Sequence, residues 1–186
     1  MDTHVLEGGF ADAAIDAAHA FRTVMDVMAR PGRIAPLTGA TPPAPLSQAA
    51  GTVLLTLCDA DTPVWIGPSI DTASVRDWIT FHTGAPITAP RRAQFAFGTW
   101  AELPLQDFPT GTPEYPDRSA TLVVELPELS PEGATLRGPG IKDSARLNLP
   151  DPAAFQANAR MFPLGLDFIF TSGDRIAALP RSTRVG

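Results

Sequence analysis

The feature that most constrains the fold is the carboxyl-terminal stretch of the chain, residues 162–183. Large apolar residues recur there on both sides of a Ser-Gly-Asp turn at 172–174: Leu166, Phe168, Phe170, Ile176 and Leu179. Two β-rich runs separated by a glycine turn are typical of a β-hairpin. Because the apolar face of a hairpin needs other segments to cover it, the tail is predicted to be part of the core.

Three polar residues flank the predicted hairpin: Asp167, Arg181 and Thr183. Open α/β sheets usually bind their ligands beyond the carboxyl ends of the strands, which makes these residues candidates for a ligand site. Two interpretations of Arg181 follow. It forms a structural ion pair with Asp167, which we prefer, or it binds a phosphate or phosphonate group. In the preferred interpretation, Asp167 and Thr183 fix the end of a sheet.

The first half of the chain has the apolar spacing of helices. In residues 11–29 the apolar positions fall on one stripe of an amphipathic helix: Ala14, Ile15, Ala18, Phe21, Met25 and Met28. Residues 46–57 and 75–82 repeat this spacing. Short apolar runs at 64–66 and 94–97 predict strands, and the alternation in the second run predicts a half-buried one.

The second half is richer in strands. Residues 119–126 form a nearly continuous apolar run, which predicts a strand buried on both faces. Two further strands are predicted within 134–149, a capped helix at 151–161, and a structured loop with one helical turn at 99–118. Helices that alternate with strands early and strands that dominate late indicate an α/β/α sandwich with a mixed sheet. At 186 residues, we expect one domain, residues 1–186.

An Arg-Pro-Gly corner ends the first predicted helix. Pro31 forces Arg30 out of the helical conformation and Gly32 frees the turn, so both are assigned structural roles. Arg30 is then held at the helix end. It either hydrogen-bonds the last carbonyl groups, which we prefer, or binds a phosphate or a partner's carboxylate.

Composition excludes several classes of function. The net charge of −6 argues against a broad nucleic-acid or acidic-membrane surface. No apolar run approaches the roughly 18 residues of a membrane span, and no signal-peptide pattern begins the sequence. One cysteine, Cys58, allows no disulfide framework within the chain. We therefore expect a cytoplasmic protein without nucleic-acid or membrane partners.

The familiar catalytic and cofactor motifs are missing from the sequence, including the phosphate loop, the dinucleotide fingerprint and the zinc motifs. The nearest anion-binding candidate is the loop of Gly138 and Gly140 with Lys142, although a plain turn is preferred. Since Lys142 is the only lysine, a pyridoxal phosphate mechanism would depend on this loop. Asp59 and Asp61 are assigned to a turn rather than to a metal site, and neither a metal nor a cofactor is predicted.

Several blocks of sequence together resemble the PhnH family, a subunit family of the carbon-phosphorus lyase system. They occur in the family's order over nearly the whole chain, at residues 21–32, 57–65, 119–122, 138–141, 162–167 and 179–183. The resemblance implies a fold like the large domain of pyridoxal-phosphate-dependent transferases, but without the cofactor's lysine. It assigns no catalytic residue.

The resemblance also implies partners and a reaction. The expected partners are the PhnG, PhnI and PhnJ subunits, with a homodimer when the protein is isolated. The complex forms a ribose 1-phosphonate 5-triphosphate from a purine nucleoside triphosphate and an alkylphosphonate. We expect an accessory subunit of this synthase. The alternative is a subunit that binds phosphate or phosphonate directly in the active site, through Arg30, Gly138, Gly140, Lys142 and Arg181.

Overall fold

The computed structural model describes residues 6–186. The helices are α1 (Ala13–Ala29), α2 (Gln48–Leu57), α3 (Ala73–Thr83) and α4 (Pro152–Ala159). The strands are β1 (Ala35–Pro36), β2 (Val64–Ile66), β3 (Phe95–Thr99), β4 (Thr121–Glu125), β5 (Ala134–Arg137), β6 (Ala145–Leu147), β7 (Asp167–Ser172), β8 (Arg175–Leu179) and β9 (Arg184–Val185). The chain is thus an α/β protein.

The main sheet is mixed, as predicted. Its order is β1-β8-β7-β4-β3-β2. Strands β2, β3, β4 and β7 are parallel to one another, and β8 runs antiparallel to both of its neighbours, β7 and β1. The predicted tail hairpin is confirmed as β7 and β8, with Phe168 opposite Leu179. Gly173 makes the turn with a φ of 58°, a left-handed conformation that glycine adopts without strain.

The centre of the sheet is the run that the sequence marks as most strand-like. Strand β4 pairs with β3 on one side and β7 on the other, and Leu122, Val123 and Val124 are fully buried. Val123 faces one core and its neighbours face the other. Full burial on both faces accounts for its continuous apolar character.

The two faces of the sheet are covered differently. Helices α1, α2 and α3 cover one face, in a core that includes Leu54, Trp78 and Phe97. On the other face lie α4, several irregular segments and a second sheet of order β6-β5-β9. The predicted sandwich is therefore uneven, because a small three-stranded sheet takes much of the space predicted for helices.

An aromatic cluster joins α4 to the tail hairpin. Phe155 of α4 packs edge-on against Phe168 with 4.8 Å between ring centroids, and Trp100 lies 4.7 Å from Phe155. Phe155 and Phe168 are each about 1% exposed. Such edge-to-face pairs add about 0.5–1.5 kcal/mol beyond the burial of their area. The tail is therefore a structural part of the second core.

Helix α1 buries a different face from the predicted stripe. Asp12 caps its first turn, and its buried residues are Ala20, Val24 and Val27. Ile15, Phe21 and Met25 remain 55%, 47% and 55% exposed. The helix carries small apolar residues on both sides, so spacing alone does not decide between the faces. Packing on α2 and β8 selects the side with the smaller residues.

Two smaller predictions also change. Strand β3 is buried on both faces, because it lies between β2 and β4 rather than at an edge. The loop predicted to hold one helical turn contains three short 3-10 turns, at Trp100–Glu102, Leu105–Asp107 and Pro116–Arg118. Within residues 6–186, no helix is both long and apolar enough to cross a membrane.

Candidate functional site

The flanking residues of the tail hairpin lie at the opposite edge of the sheet from the predicted one. Asp167 is the first residue of β7 and pairs in register with Thr121, the first residue of β4. It therefore stands at the amino ends of the parallel strands. Contrary to expectation, Asp167 and Arg181 therefore do not lie beyond the carboxyl ends of the parallel strands. Strand β8 runs antiparallel to β7, so Arg181, which follows β8, lies beside Asp167 at the start of β7.

Arg181 is bonded into the structure by nearly all of its donors. Its backbone N–H donates to Asp167 Oδ1 at 2.8 Å, and Nε lies 3.2 Å from both carboxylate oxygens. Nη1 donates to the Pro116 carbonyl at 2.7 Å, and Nη2 donates to Asp167 and to the Ser119 hydroxyl. The side chains of Arg181 and Asp167 are 13% and 18% exposed. This arginine joins the tail to the segment that precedes β4.

Thr183 is a buried polar residue of the same tail. It is 2% exposed, and its hydroxyl has no hydrogen-bond partner among the described residues. Its backbone N–H donates to the Pro180 carbonyl at 2.9 Å. The loop at Gly138 packs against it, since a Cβ at Gly138 would lie 3.4 Å from Thr183 Cα and 3.1 Å from the carbonyl oxygen of Ser182.

The Arg-Pro-Gly corner ends α1 as predicted. The backbone N–H of Arg30 donates to the Asp26 carbonyl at 3.0 Å, and its guanidinium pairs with the Asp26 carboxylate one turn back. Arg33 reaches the same carboxylate at 3.1 Å. Pro31 is buried and Gly32 has a φ of 87°. The side chain of Arg30 thus pairs with a carboxylate of its own helix instead of the helix carbonyls.

The glycine loop closes onto this corner. A Cβ at Gly140 would lie 1.8 Å from the Ala29 carbonyl oxygen, so only glycine permits the approach. Gly140 and Arg30 border one shallow surface hollow, together with Phe21 and Met25. Lys142 is exposed beyond the loop. The predicted ligand residues therefore lie in two places. Arg30, Gly138 and Gly140 belong to the helix corner and the glycine loop that packs on it, whereas the guanidinium of Arg181 points into the amino edge of the sheet.

The Asp59 turn has the predicted local form. Asp59 Oδ1 accepts from the Asp61 N–H at 3.0 Å and from the Thr62 hydroxyl at 2.8 Å. These hydrogen bonds stabilise the carboxylate and lower the pKa of Asp59. Among residues 6–186 no group of three or more histidine, cysteine, aspartate or glutamate side chains is placed to hold a metal ion.

At the carboxyl ends of the parallel strands, two carboxylates are tied to local structure. Glu125 ends β4, accepts from the Ser47 N–H at 2.9 Å and accepts from the Thr171 hydroxyl at 3.0 Å. Burial raises its pKa. Glu102 accepts from both Ser69 and Thr99, and these bonds outweigh desolvation and lower its pKa. This edge is filled by α2 caps and turn contacts.

A polar, open cavity lies at the amino edge, beside the Arg181 contacts. We call it the arginine cleft; it has a volume of about 570 Å³, and its polar lining comprises Arg91, Arg92, Gln94, Asp117, Arg118, Ser119 and Thr121. Strands β3 and β4 run parallel with Phe95 opposite Thr121, so the residues that precede the two strands meet at one edge. In the sequence, Arg91 and Arg92 precede the strand predicted at 94–97, where paired arginines could receive an anionic ligand but are more typical of a solvated strand end; Arg118 is not a candidate there. Basic residues before two neighbouring parallel strands were the signal that could have found the cleft.

Comparison with known proteins agrees with the resemblance carried by the sequence blocks. The family model described as bacterial phosphonate metabolism protein (PhnH) matches residues 8–186. The chain belongs to the PhnH family. A relative from Rhizobium meliloti (strain 1021), the alpha-D-ribose 1-methylphosphonate 5-triphosphate synthase subunit PhnH, is 45% identical over 98% of this chain and 96% of its own length.

A more distant PhnH relative extends the comparison. The putative C-P lyase subunit protein HtxG of Stutzerimonas stutzeri is 30% identical over 89% of this chain and 84% of its own length. Both matches span most of the chain. Both relatives are named as subunits rather than as independent enzymes.

Proposed function

We propose that this chain is an accessory subunit of a carbon-phosphorus lyase complex. In that role it would be required to form a ribose 1-phosphonate 5-triphosphate from a purine nucleoside triphosphate and an alkylphosphonate, with loss of the purine base. The subunit name of the Rhizobium relative supports the assignment. The observation in this chain that carries it is the exposed apolar face of α1.

This α1 face consists of Ile15, Phe21 and Met25, and it is opposite the side that packs on the core. Each side chain is about half exposed. Full burial of such a side chain contributes about 1.5–3 kcal/mol, so a partner that covers the exposed halves of all three side chains would gain roughly 2–4 kcal/mol. Contiguous apolar surface of this kind marks contact sites in proteins.

Charged residues border the α1 face. Arg22, Asp26 and Arg30 line the hollow that Phe21 and Met25 share with the glycine loop. An apolar centre with a charged rim is the usual composition of a subunit contact. We infer that PhnG, PhnI or PhnJ covers this face in the complex, and that a second copy of the chain covers it in an isolated homodimer.

A cytoplasmic location is part of the proposal. The single thiol, Cys58, is 6% exposed, and burial raises its pKa, so it is a structural thiol suited to a reducing compartment. The transferase-like fold implied by the family resemblance also remains a proposal. Its sheet of four parallel strands with one antiparallel hairpin is compatible with that fold class.

Phe21→Glu tests the assembly role directly. The substitution places a charge in the centre of the α1 face without touching the core, so we expect a native circular-dichroism spectrum, a monomer by light scattering, and loss of co-purification with tagged PhnG, PhnI and PhnJ. Phe81→Glu is the matched control, since Phe81 is an exposed phenylalanine on α3. Normal dimerisation and co-purification of Phe21→Glu would refute the role of this face.

A second candidate function is supported by a different observation. The arginine cleft favours direct binding of a phosphate or phosphonate, the alternative set out from the sequence. We assign that binding to the cleft in preference to Arg181, because Asp167, Pro116 and Ser119 already occupy the donors of Arg181.

A further inference from the structure

We propose that the arginine cleft binds a small anion that carries phosphoryl or phosphonyl groups. The cleft opens at the amino ends of β3 and β4, between the 3-10 turn Pro90–Arg92 and the 3-10 turn Pro116–Arg118. Because the parallel register fixes both turns to the ends of neighbouring central strands, the arginines are presented by rigid elements.

The cleft carries a net positive charge. Arg92 has no ion-pair partner among residues 6–186, and Arg91 is 83% exposed with its closest carboxylate, Asp107, 3.5 Å away. Asp117 is the one carboxylate in the lining of the cleft as described. Three arginines against Asp117 in the lining and Asp107 beside Arg91 leave a local charge of +1, in a protein whose net charge is −6.

One arginine is held in place without losing its charge. The guanidinium of Arg118 lies over the Tyr115 ring, 4.0 Å from the centroid. Stacking on an aromatic ring orients a guanidinium and leaves its N–H groups at the edge free to donate. Arg118 lines the cleft with these donors available to a ligand.

Hydroxyl groups complete the set of donors. Ser119 accepts a hydrogen bond from Arg181, which leaves the serine hydrogen free to donate toward the cleft. Thr121 lines the same wall at the start of β4. Arg181 thus acts as a positioning residue, since it fixes Ser119 from inside the protein. The contact also makes the Ser119 hydroxyl a better donor, because its oxygen lies against a cation.

The chemistry of these donors selects the ligand class. Guanidinium groups bind phosphate oxygens through paired N–H donors. Because three arginines and a single carboxylate line the cleft, it favours anions over cations and neutral molecules. A volume of about 570 Å³ lies within the range of small-molecule sites. Nucleoside triphosphates, inorganic triphosphate and alkylphosphonates share the required group. This inference does not depend on the assembly role of α1.

Isothermal titration of the full chain tests the proposal with three separate probes: ATP, inorganic triphosphate and methylphosphonate. We expect binding of at least one probe, with affinity that falls as salt is raised. Arg92→Gln and Arg118→Gln should each weaken it by about tenfold or more. Arg137→Gln is the control, because Arg137 is an exposed arginine on β5, outside the cleft.

The three probes distinguish the source of the anion. Tight ATP binding with weak triphosphate binding identifies a nucleotide site, equal binding of the two identifies a polyphosphate site, and selective methylphosphonate binding identifies a phosphonate site. Absence of binding by all three at millimolar concentration would overturn the proposal. So would binding that Arg92→Gln and Arg118→Gln leave unchanged. Arg92→Gln alters no described contact, so its folding is not at issue, and the Phe21→Glu assembly result is independent of these outcomes.

Discussion

Replacing Arg181 with alanine should destabilise the protein strongly. The side chain joins three segments: it pairs with Asp167 at the start of β7, donates to the Pro116 carbonyl at 2.7 Å and contacts the Ser119 hydroxyl. Arg181→Ala leaves a carboxylate only 18% exposed without its cation. Removing one partner of a buried pair costs about 3–5 kcal/mol.

The assay is thermal and urea unfolding followed by circular dichroism. For a chain of this length, each kcal/mol lowers the melting temperature by about 2–4 °C, so Arg181→Ala should lower it by roughly 6–20 °C. Arg175→Ala is the matched control. It removes an exposed arginine from the other end of β8, and should change stability by less than about 0.5 kcal/mol.

A double-mutant cycle separates the ion pair from the other contacts of Arg181. Once Arg181 is gone, Asp167→Ala should cost less than it does in the wild type, because the uncompensated carboxylate is removed. A loss below about 1 kcal/mol for Arg181→Ala, or strictly additive effects of the two substitutions, would refute the reasoning.

Three further substitutions test separate contacts. Glu125→Gln should be more stable than the wild type at pH 7 and lose that advantage at acidic pH. Burial raises the pKa of Glu125 in the folded protein, so the wild type loses stability as pH rises from the unfolded-state pKa near 4.3 through the folded-state pKa. Urea unfolding at several pH values measures this difference. Gly140→Ala should lower the free energy of unfolding by at least about 2 kcal/mol, because its Cβ would meet the Ala29 carbonyl. Gly173→Ala, with a φ of 58° and nothing within 4 Å, should lower it by only about 1–2 kcal/mol. Equal losses of stability in the two variants would contradict this. Thr183→Val should stabilise by about 1 kcal/mol in urea, since the buried hydroxyl has no partner among the described residues, and a clear loss would show that it has one.

The tail hairpin and the central strand could be predicted because each carries its own local signal. Gly173 marks the turn between two apolar runs, and residues 121–125 are apolar on both faces. Such segments can be predicted from the sequence because their apolar pattern and turn residues lie next to one another in the chain. The same holds for the helix predicted at 151–161, whose cap is Asp151.

Predictions that depended on distant segments were less successful. The buried face of α1 is chosen by α2 and β8, and nothing in the helix itself distinguishes Phe21 from Val24 as a core residue. Asp167 falls at the amino edge because β7 runs parallel to β4, which places the first residues of the two strands side by side; spacing along the chain does not reveal this. Arg118 joins Arg92 only through that same parallel register.

The measurement that tests the central claim most directly is reconstitution of the synthase reaction. Purified PhnG, PhnI and PhnJ subunits are incubated with a purine nucleoside triphosphate and methylphosphonate, with and without this chain, and base release is followed. The accessory role predicts release only when this chain is added, and none by this chain alone. Turnover by the isolated chain, or full activity of the partners without it, would contradict the account.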